Sequence, residues 1–219
     1  MTAEIARRLG AEAAGTFALV FFGCGAIMVD AEGGGLGHAG VSLAFGLVVG
    51  AMVFALAHIS GAHINPAVTL ALATRRRFEW SRVPGYWIAQ CVGAIAAAAF
   101  LRVSIGDVAD IGATTPSGSD AQSFFWEVAM TATLLVVILA AVTNVRTAGV
   151  AAVAIGAAIA LASLVGGPVS GASLNPARSL GPALIARDFG SLWIYLTAPV
   201  LGGILGALLF ERLNPPSPP

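Results

Sequence analysis

The chain has 219 residues, of which 58% are hydrophobic and 10% are charged, and its mean hydropathy is +0.88. A soluble domain of this size would not expose so apolar a surface to water, so the composition predicts an integral membrane protein. The formal net charge is zero and all eleven basic residues are Arg. This excludes a basic surface of the kind that binds nucleic acid.

Six stretches are apolar enough to cross a bilayer, which takes about 20 residues in a helix. In chain order they cover roughly 9–29, 39–58, 83–103, 122–143, 148–166 and 191–211. We therefore expect an all-α membrane protein that forms a single domain over residues 1–219.

The two ends of the chain need separate interpretation. Arg7 and Arg8 precede an apolar run, as in a signal peptide, but the run continues through Val29 without a small-residue cleavage pattern. A first membrane span is therefore favoured over a signal peptide. The Pro-rich segment 213–219 cannot form a helix, and we expect it to be disordered.

Two connections between spans, 59–72 and 167–185, are too apolar to be ordinary loops. Each contains one copy of a ten-residue repeat, Ser-Gly-Ala-His-Ile-Asn-Pro-Ala-Val-Thr at 60–69 and Ser-Gly-Ala-Ser-Leu-Asn-Pro-Ala-Arg-Ser at 170–179. Asn is a preferred N-cap and Pro is favoured at the first helical position, so each copy predicts a helix start. About ten residues make a half-helix of about 15 Å, which reaches the middle of the bilayer core.

The repeat extends beyond these segments. Glu12-Ala-Ala-Gly-Thr in the first span matches Glu127-Val-Ala-Met-Thr in the fourth. The two repeats cover about 8–104 and 122–212, and each has three spans, an odd number, so the second must be inverted relative to the first. The half-helices then enter from opposite faces and meet tip to tip near the midplane.

Glu12 and Glu127 are expected to face protein or water, because a carboxylate is costly in contact with lipid. The structural interpretation is that each accepts hydrogen bonds from the re-entrant backbone of its own half, which finds no partners in lipid. A proton relay is the alternative.

Cys24 and Cys91 lie in apolar stretches and are expected to be small buried hydrophobic residues. We expect no metal and no cofactor.

The distribution of Arg predicts the orientation, because short cytoplasmic loops retain positive charge. With the N-terminus inside, most Arg residues are cytoplasmic and most acidic residues are outside. We therefore predict a multi-pass protein of the cell membrane with both termini in the cytoplasm. The cytoplasmic set is Arg7, Arg8, Arg75, Arg76, Arg77, Arg82, Arg146 and Arg212, and the exceptions are Arg102, Arg178 and Arg187.

The paired Asn-Pro-Ala motifs, each preceded by Ser-Gly-Ala within a three-plus-three topology, make the chain resemble the aquaporins, also called major intrinsic proteins. The motif segments are most similar to those of plant nodulin-like intrinsic proteins and their bacterial relatives. The resemblance implies a passive channel for water and small uncharged solutes, such as glycerol, urea-like molecules, or arsenous, boric and silicic acids. It also implies a homotetramer in the lipid bilayer.

The resemblance further implies roles for individual residues. The Asn amides would donate hydrogen bonds to the solute, the prolines would stack where the half-helices meet, and backbone carbonyls would line the pore. His63 is expected to support the loop geometry rather than to bind a metal. The motif residues are Asn65, Pro66, Ala67, Asn175, Pro176 and Ala177, and the pore-lining backbone belongs to Ala62, His63, Ile64, Ala172, Ser173 and Leu174.

In this family the narrowest point of the pore is lined by three side chains at fixed distances from the motifs. One lies 20 residues before the first motif Asn, and the others lie 12 and 3 residues before the second motif Asn. Together with the Arg of the second motif, these offsets predict a filter of Phe45, Ser163, Ala172 and Arg178. Strict water channels resemble one another in having His where this chain has Ser163, so we expect a wider, still polar opening. Alternatively, Ser163 is a helix-packing residue.

Helical spacing places Val49 and Ile159 one turn from the filter residues, as an apolar side of the lumen. Ser179 stands where dedicated glycerol facilitators carry Asp, which disfavours specialisation for glycerol. Three alternatives stay open: a water-selective pore, a coupled secondary transporter and, with least support, an intramembrane enzyme.

Overall fold

The computed structural model describes residues 2–143 and 148–215, and all regular secondary structure in these ranges is helical. The helices with defined bounds are α1 Ala3–Val29, α2 Gly37–Ser60, α3 Pro66–Thr74, α4 Val83–Ser104, α5 Asp120–Thr143, α6 Ala151–Ser170, α7 Pro176–Ala186 and α8 Leu192–Leu213. Short helical turns at Asp30–Gly34, Trp80–Arg82 and Ala109–Gly112 lie in the connections.

Six of the helices, α1, α2, α4, α5, α6 and α8, are long and apolar enough to cross a membrane, which confirms the predicted spans. The first begins at Ala3, earlier than predicted, because the Thr2 hydroxyl accepts a hydrogen bond from the Ile5 amide and caps the helix. The predictions for Arg146 and for residues 216–219 lie outside the described residues.

The two short helices, α3 and α7, begin as the repeat predicts. Asn65 and Asn175 are extended N-caps whose side chains accept from amides in the first helical turn, and a Pro follows each of them. The helices have 9 and 11 residues, so each spans about half of a bilayer core.

The packing has the symmetry of an inverted repeat. In the first half α1 packs against α2 and α4, and in the second half α5 packs against α6 and α8 in the same way. Each half-helix lies against the last span of the opposite half, α3 on α8 and α7 on α4, while α2 and α6 pack on each other between the halves. The two halves are therefore interlocked rather than merely adjacent.

Glycines allow the closest crossings between these helices. A Cβ on Gly206 of α8 would lie 2.2 Å from the Ala132 carbonyl oxygen of α5, and one on Gly46 of α2 would lie 2.6 Å from the Gly156 carbonyl oxygen of α6. The obstacle is backbone in both cases, so it cannot be relieved by a change of rotamer. Close crossings therefore occur at both helix pairs.

Gly206→Ala should destabilise the protein, because the added methyl would force α5 and α8 apart, whereas Gly10→Ala should be neutral, since nothing lies within 4 Å of that position. Overpacking of this kind costs about 1–3 kcal/mol. Thermal melting of the two purified variants checks this, and equal melting temperatures would contradict the close α5–α8 crossing.

Candidate re-entrant pore

Glu12 is completely buried and organises the first re-entrant segment. One carboxylate oxygen accepts from the Ser60 hydroxyl at 2.7 Å and from the His63 amide at 3.0 Å. The other accepts from the Ile64 amide at 2.7 Å and from the Gln90 side-chain amide at 2.8 Å. Four donors therefore saturate this carboxylate, and two of them are backbone groups that precede α3.

Glu127 does the same in the second half. Its carboxylate accepts from the Ser170 hydroxyl and from the Ser173 and Leu174 amides, each at 2.8 Å. Tyr195 adds a hydrogen bond from its hydroxyl to the Ser170 carbonyl at 2.6 Å. Buried backbone in a membrane must be paired within the protein, and these bonds supply that pairing.

The segments between the carboxylates and the half-helices share an unusual backbone. Ala62 and Ile64 have φ of 46° and 43°, and Ala172 and Leu174 have φ of 45° and 54°. The left-handed region is strained for residues with a side chain, and such strain persists only where surrounding contacts hold it. The Glu12 and Glu127 hydrogen bonds to the neighbouring amides are contacts of this kind.

The two motif asparagines bond across the interface between the halves. The Asn65 amide donates to the Leu174 carbonyl at 2.8 Å, and the Asn175 amide donates to the Ile64 carbonyl at 2.8 Å. Each side-chain oxygen is engaged by its own half-helix, with Asn65 accepting from Ala67 and Asn175 from Ala177. Because a side-chain amide carries two N–H groups, each Asn retains one donor for a solute. The sequence predicted donation to the solute but not this crossed pair.

Arg178 is 1% exposed and has two well-defined neighbours. Its Nη1 donates to the Gly112 carbonyl at 2.7 Å, and its guanidinium carbon lies 4.9 Å from the centre of the Phe45 ring. Within residues 2–143 and 148–215, the buried Nε has no hydrogen-bond partner. The guanidinium is therefore held between the connection that contains Gly112 and the aromatic wall of α2.

The connection between α4 and α5 is a part of the site that the sequence did not predict. Its residues Ala109, Asp110 and Ile111 have positive φ, Ile111 is fully buried, and a Cβ on Gly112 would lie 2.8 Å from Cys24. The connection thus folds back onto α1 and presents the Gly112 carbonyl to Arg178. An apolar Ile within a polar connection was the available signal, but a carbonyl acceptor has no signature in sequence.

Ser179 and Thr114 extend this contact to the second motif. Thr114 and Ser179 share a hydroxyl hydrogen bond of 2.7 Å, and Ser173 and Ser179 share one of 2.6 Å. From the sequence, Ser179 was notable only for standing where glycerol facilitators carry Asp. In the structure it joins the outer connection to the re-entrant backbone.

A cavity of about 360 Å³ runs between the two halves. Apolar side chains, including Leu134, Ile138 and Ile155, form much of its wall, and Arg77 also lines it. The cavity is lined by both motif asparagines and by the predicted filter and pore residues Phe45, Val49, Ala62, His63, Ile64, Ile159, Ser163, Ala172, Ser173, Leu174 and Arg178.

The remaining motif residues lie behind the cavity wall. Ala67 and Ala177 are fully buried, and Pro66 and Pro176 line the same small apolar gap where the half-helices meet. Their side chains therefore contribute to the contact between the halves rather than to the cavity surface.

His63 lines the cavity and also supports the first re-entrant segment. Its Nδ1 lies 3.1 Å from the Thr69 hydroxyl, and its ring packs edge-on against Phe78 and beside Tyr86.

Cys24 is buried and Cys91 half-buried, and both are free thiols. In the part of the chain that the structure describes, no three His, Cys, Asp or Glu side chains come together as a metal site would require.

Comparisons with known proteins agree on one family. A model of the family described as "Major intrinsic protein" matches residues 1–210. Aquaporin NIP1-1 of Oryza sativa subsp. japonica is 46% identical over 95% of this chain and 74% of its own length, and Aquaporin NIP2-1 of the same organism is 44% identical over 96% and 72%. The solved structure of the aquaglyceroporin from Plasmodium falciparum is 27% identical, has a TM-score of 0.87, and covers 95% of this chain and 96% of its own.

Glu127→Gln should lower the melting temperature. Its new NH₂ group would face one of the three N–H or O–H donors from which the wild-type carboxylate accepts. The loss of one buried hydrogen bond, with a donor left unpaired, costs about 1–3 kcal/mol. The matched control is Glu4→Gln, whose side chain is exposed and pairs with Arg8 at the surface. If both variants melted together, Glu127 would not hold the re-entrant segment.

Proposed function

The chain belongs to the major intrinsic protein family, and from that premise we propose that it is a passive channel for water together with small uncharged solutes. The proteins of this family are channels, not enzymes. Two relatives of similar sequence are named aquaporins, and one relative of known structure is named an aquaglyceroporin. Glycerol, urea-like molecules and metalloid acids such as arsenous, boric and silicic acid are the solutes we propose for this chain.

The composition of the cavity wall at Ser163 supports this solute range. Ser163 is 8% exposed and lines the cavity together with Ala172, Phe45 and Arg178. A hydroxymethyl group occupies less space than the imidazole of strict water channels, and it can either donate or accept. Its place on the cavity favours a filter role over simple helix packing. We propose that these four residues form the filter, with Phe45 as its apolar side and Arg178 as its fixed donor.

The electrostatics of the cavity favour neutral solutes over cations. The N-termini of α3 and α7 meet at the motif asparagines, and each carries the partial positive charge of a helix start. The oxygens of Asn65 and Asn175 accept from their own helices, so their amide N–H groups are what a solute can contact. Arg178 adds a full positive charge nearby. A cation would meet donors and positive potential without a carboxylate to compensate.

The two buried carboxylates argue against coupled transport. A proton- or sodium-coupled carrier needs a group that binds the ion in one state and releases it in another. Glu12 accepts four hydrogen bonds and Glu127 accepts three, and these bonds hold the backbone of the pore. Protonation of either group would break bonds that the fold requires. We therefore propose a scaffold role for both residues rather than a proton relay.

We propose that both termini are cytoplasmic and that the protein is a homotetramer of the cell membrane, with one pore in each subunit formed over residues 1–219. The orientation is inferred from the distribution of Arg residues, and the tetramer is inferred from the family.

Two of the three Arg residues that are exceptions to this distribution have local partners. Arg102 pairs with Asp107, and Arg178 lies in the pore beside Phe45. Arg75 pairs with Glu211, which joins the end of α3 to the end of α8.

In proteoliposomes, the wild-type protein should conduct water, glycerol, urea and boric acid. Ser163→His should still conduct water, but its solute flow should fall at least about tenfold, because an imidazole narrows the filter. Stopped-flow light scattering measures both flows in the same vesicles. The ratio of the two is independent of how much protein inserts.

Ser104→Ala is the matched control, because Ser104 lies at the end of α4 with its hydroxyl bonded to the Phe100 carbonyl and does not line the cavity. It should leave the ratio of solute to water flow unchanged. Wild-type vesicles that pass water but none of the solutes would instead show a water-selective pore.

A further inference from the structure

Helix α6 carries Ser163 and contains an interior proline five residues later, Pro168. Proline has no backbone N–H, so the carbonyl four residues earlier, that of Leu164, loses its helical partner. The proline ring also crowds this carbonyl and tilts it away from the helix axis. This carbonyl must therefore take a donor from another side chain or from water.

The missing donor is supplied by a side chain from another helix. Nε2 of His38, in the first turn of α2, lies 2.8 Å from the Leu164 carbonyl oxygen. A carbonyl can only accept, so Nε2 carries the proton and the ring donates. The imidazole therefore replaces the bond that Pro168 removes.

The neighbouring glycine makes this bond sterically possible. A Cβ on Gly167 would lie 2.6 Å from Cε1 of His38, so any other residue there would displace the imidazole. The Gly167-Pro168 pair thus creates both an unpartnered acceptor and the space for its donor. Two independent features of α6 point to the same side chain of α2.

We propose that His38 is a positioning residue for the pore: it holds the turn of α6 that carries Ser163 and thereby sets the width of the filter. Ser163 directly precedes Leu164, so a shift of the Leu164 carbonyl moves the backbone from which the Ser163 hydroxyl extends into the cavity. Phe45, the opposite wall of the filter, lies two turns from His38 on α2. One hydrogen bond therefore joins the two helices that contribute the apolar and the hydroxyl sides of the filter. This inference rests on the proposed filter.

The test is a double-mutant cycle between His38 and Pro168. His38→Phe keeps a ring of similar size without a donor, His38→Gln restores a side-chain N–H, and Pro168→Ala restores the backbone N–H for Leu164. His58→Phe, at the opposite end of α2, is the matched control. Each variant is purified for thermal melting and reconstituted for stopped-flow measurement of glycerol and of the larger polyol erythritol.

His38→Phe should lower the melting temperature and reduce discrimination between glycerol and erythritol at least about threefold, because an unpaired carbonyl frees the turn. His38→Gln should restore much of both, and His58→Phe should change neither. In the Pro168→Ala background the effects of His38→Phe should vanish, since the helix then provides its own donor. A general loss of folding would lower both fluxes together and leave their ratio unchanged.

Equal effects of His38→Phe in the two backgrounds would overturn the proposal, as would a change in melting temperature without a change in discrimination. If the wild type passes water alone, the proposed solute range fails separately. In that case positioning by His38 still predicts that His38→Phe admits glycerol, and continued exclusion of glycerol would overturn it.

Discussion

One buried carboxylate in each half of the molecule makes the re-entrant segments possible. A chain that enters a bilayer and turns back exposes backbone amides that neither lipid nor a short helix can satisfy. Glu12 and Glu127 accept from two consecutive amides each, just before α3 and α7 begin. Without these bonds the left-handed residues that precede the half-helices would lose two of the contacts in each half that hold their strained backbone.

The rest of the pore depends on where these segments are held. Fixed in place, the two loops bring Ile64 and Leu174 close enough for the crossed hydrogen bonds from Asn175 and Asn65. Those bonds join the inverted halves where α3 and α7 begin and leave one amide N–H of each Asn unpaired. The two copies of the repeat differ at four of their ten positions, and only one of these differences introduces a charge, where Val68 stands in the first copy and Arg178 in the second. Arg178 is held by the Gly112 carbonyl and the Phe45 ring.

Much of this arrangement is predictable from the sequence because it repeats. Spans follow from apolar length, the two half-helices follow from Asn-Pro after small residues, and the matched positions of Glu12 and Glu127 suggest their structural role. Resemblance to a family adds the filter offsets, and the structure places those side chains on one cavity. What sequence could not give depends on backbone atoms, which every residue possesses and no pattern marks.

Three features show this limit. The Gly112 carbonyl that holds Arg178 belongs to a connection whose conformation depends on contact with Cys24. The crossed Asn bonds require both loops to be in place at once. The bond from His38 to Leu164 follows from the absence of an N–H at Pro168, so the donor and the acceptor share no sequence motif and are 126 residues apart.

The central claim is that a pore held by saturated carboxylates is passive and admits only uncharged solutes. The most direct measurement uses wild-type protein in vesicles with equal glycerol concentrations on both sides. A proton gradient and then a membrane potential are imposed, and the net glycerol movement and the ionic current are recorded. A passive neutral pore predicts no net glycerol movement and no current above that of protein-free vesicles, while an osmotic gradient still drives rapid water flow. Glycerol accumulation under the proton gradient, or a current that scales with the amount of protein, would contradict it.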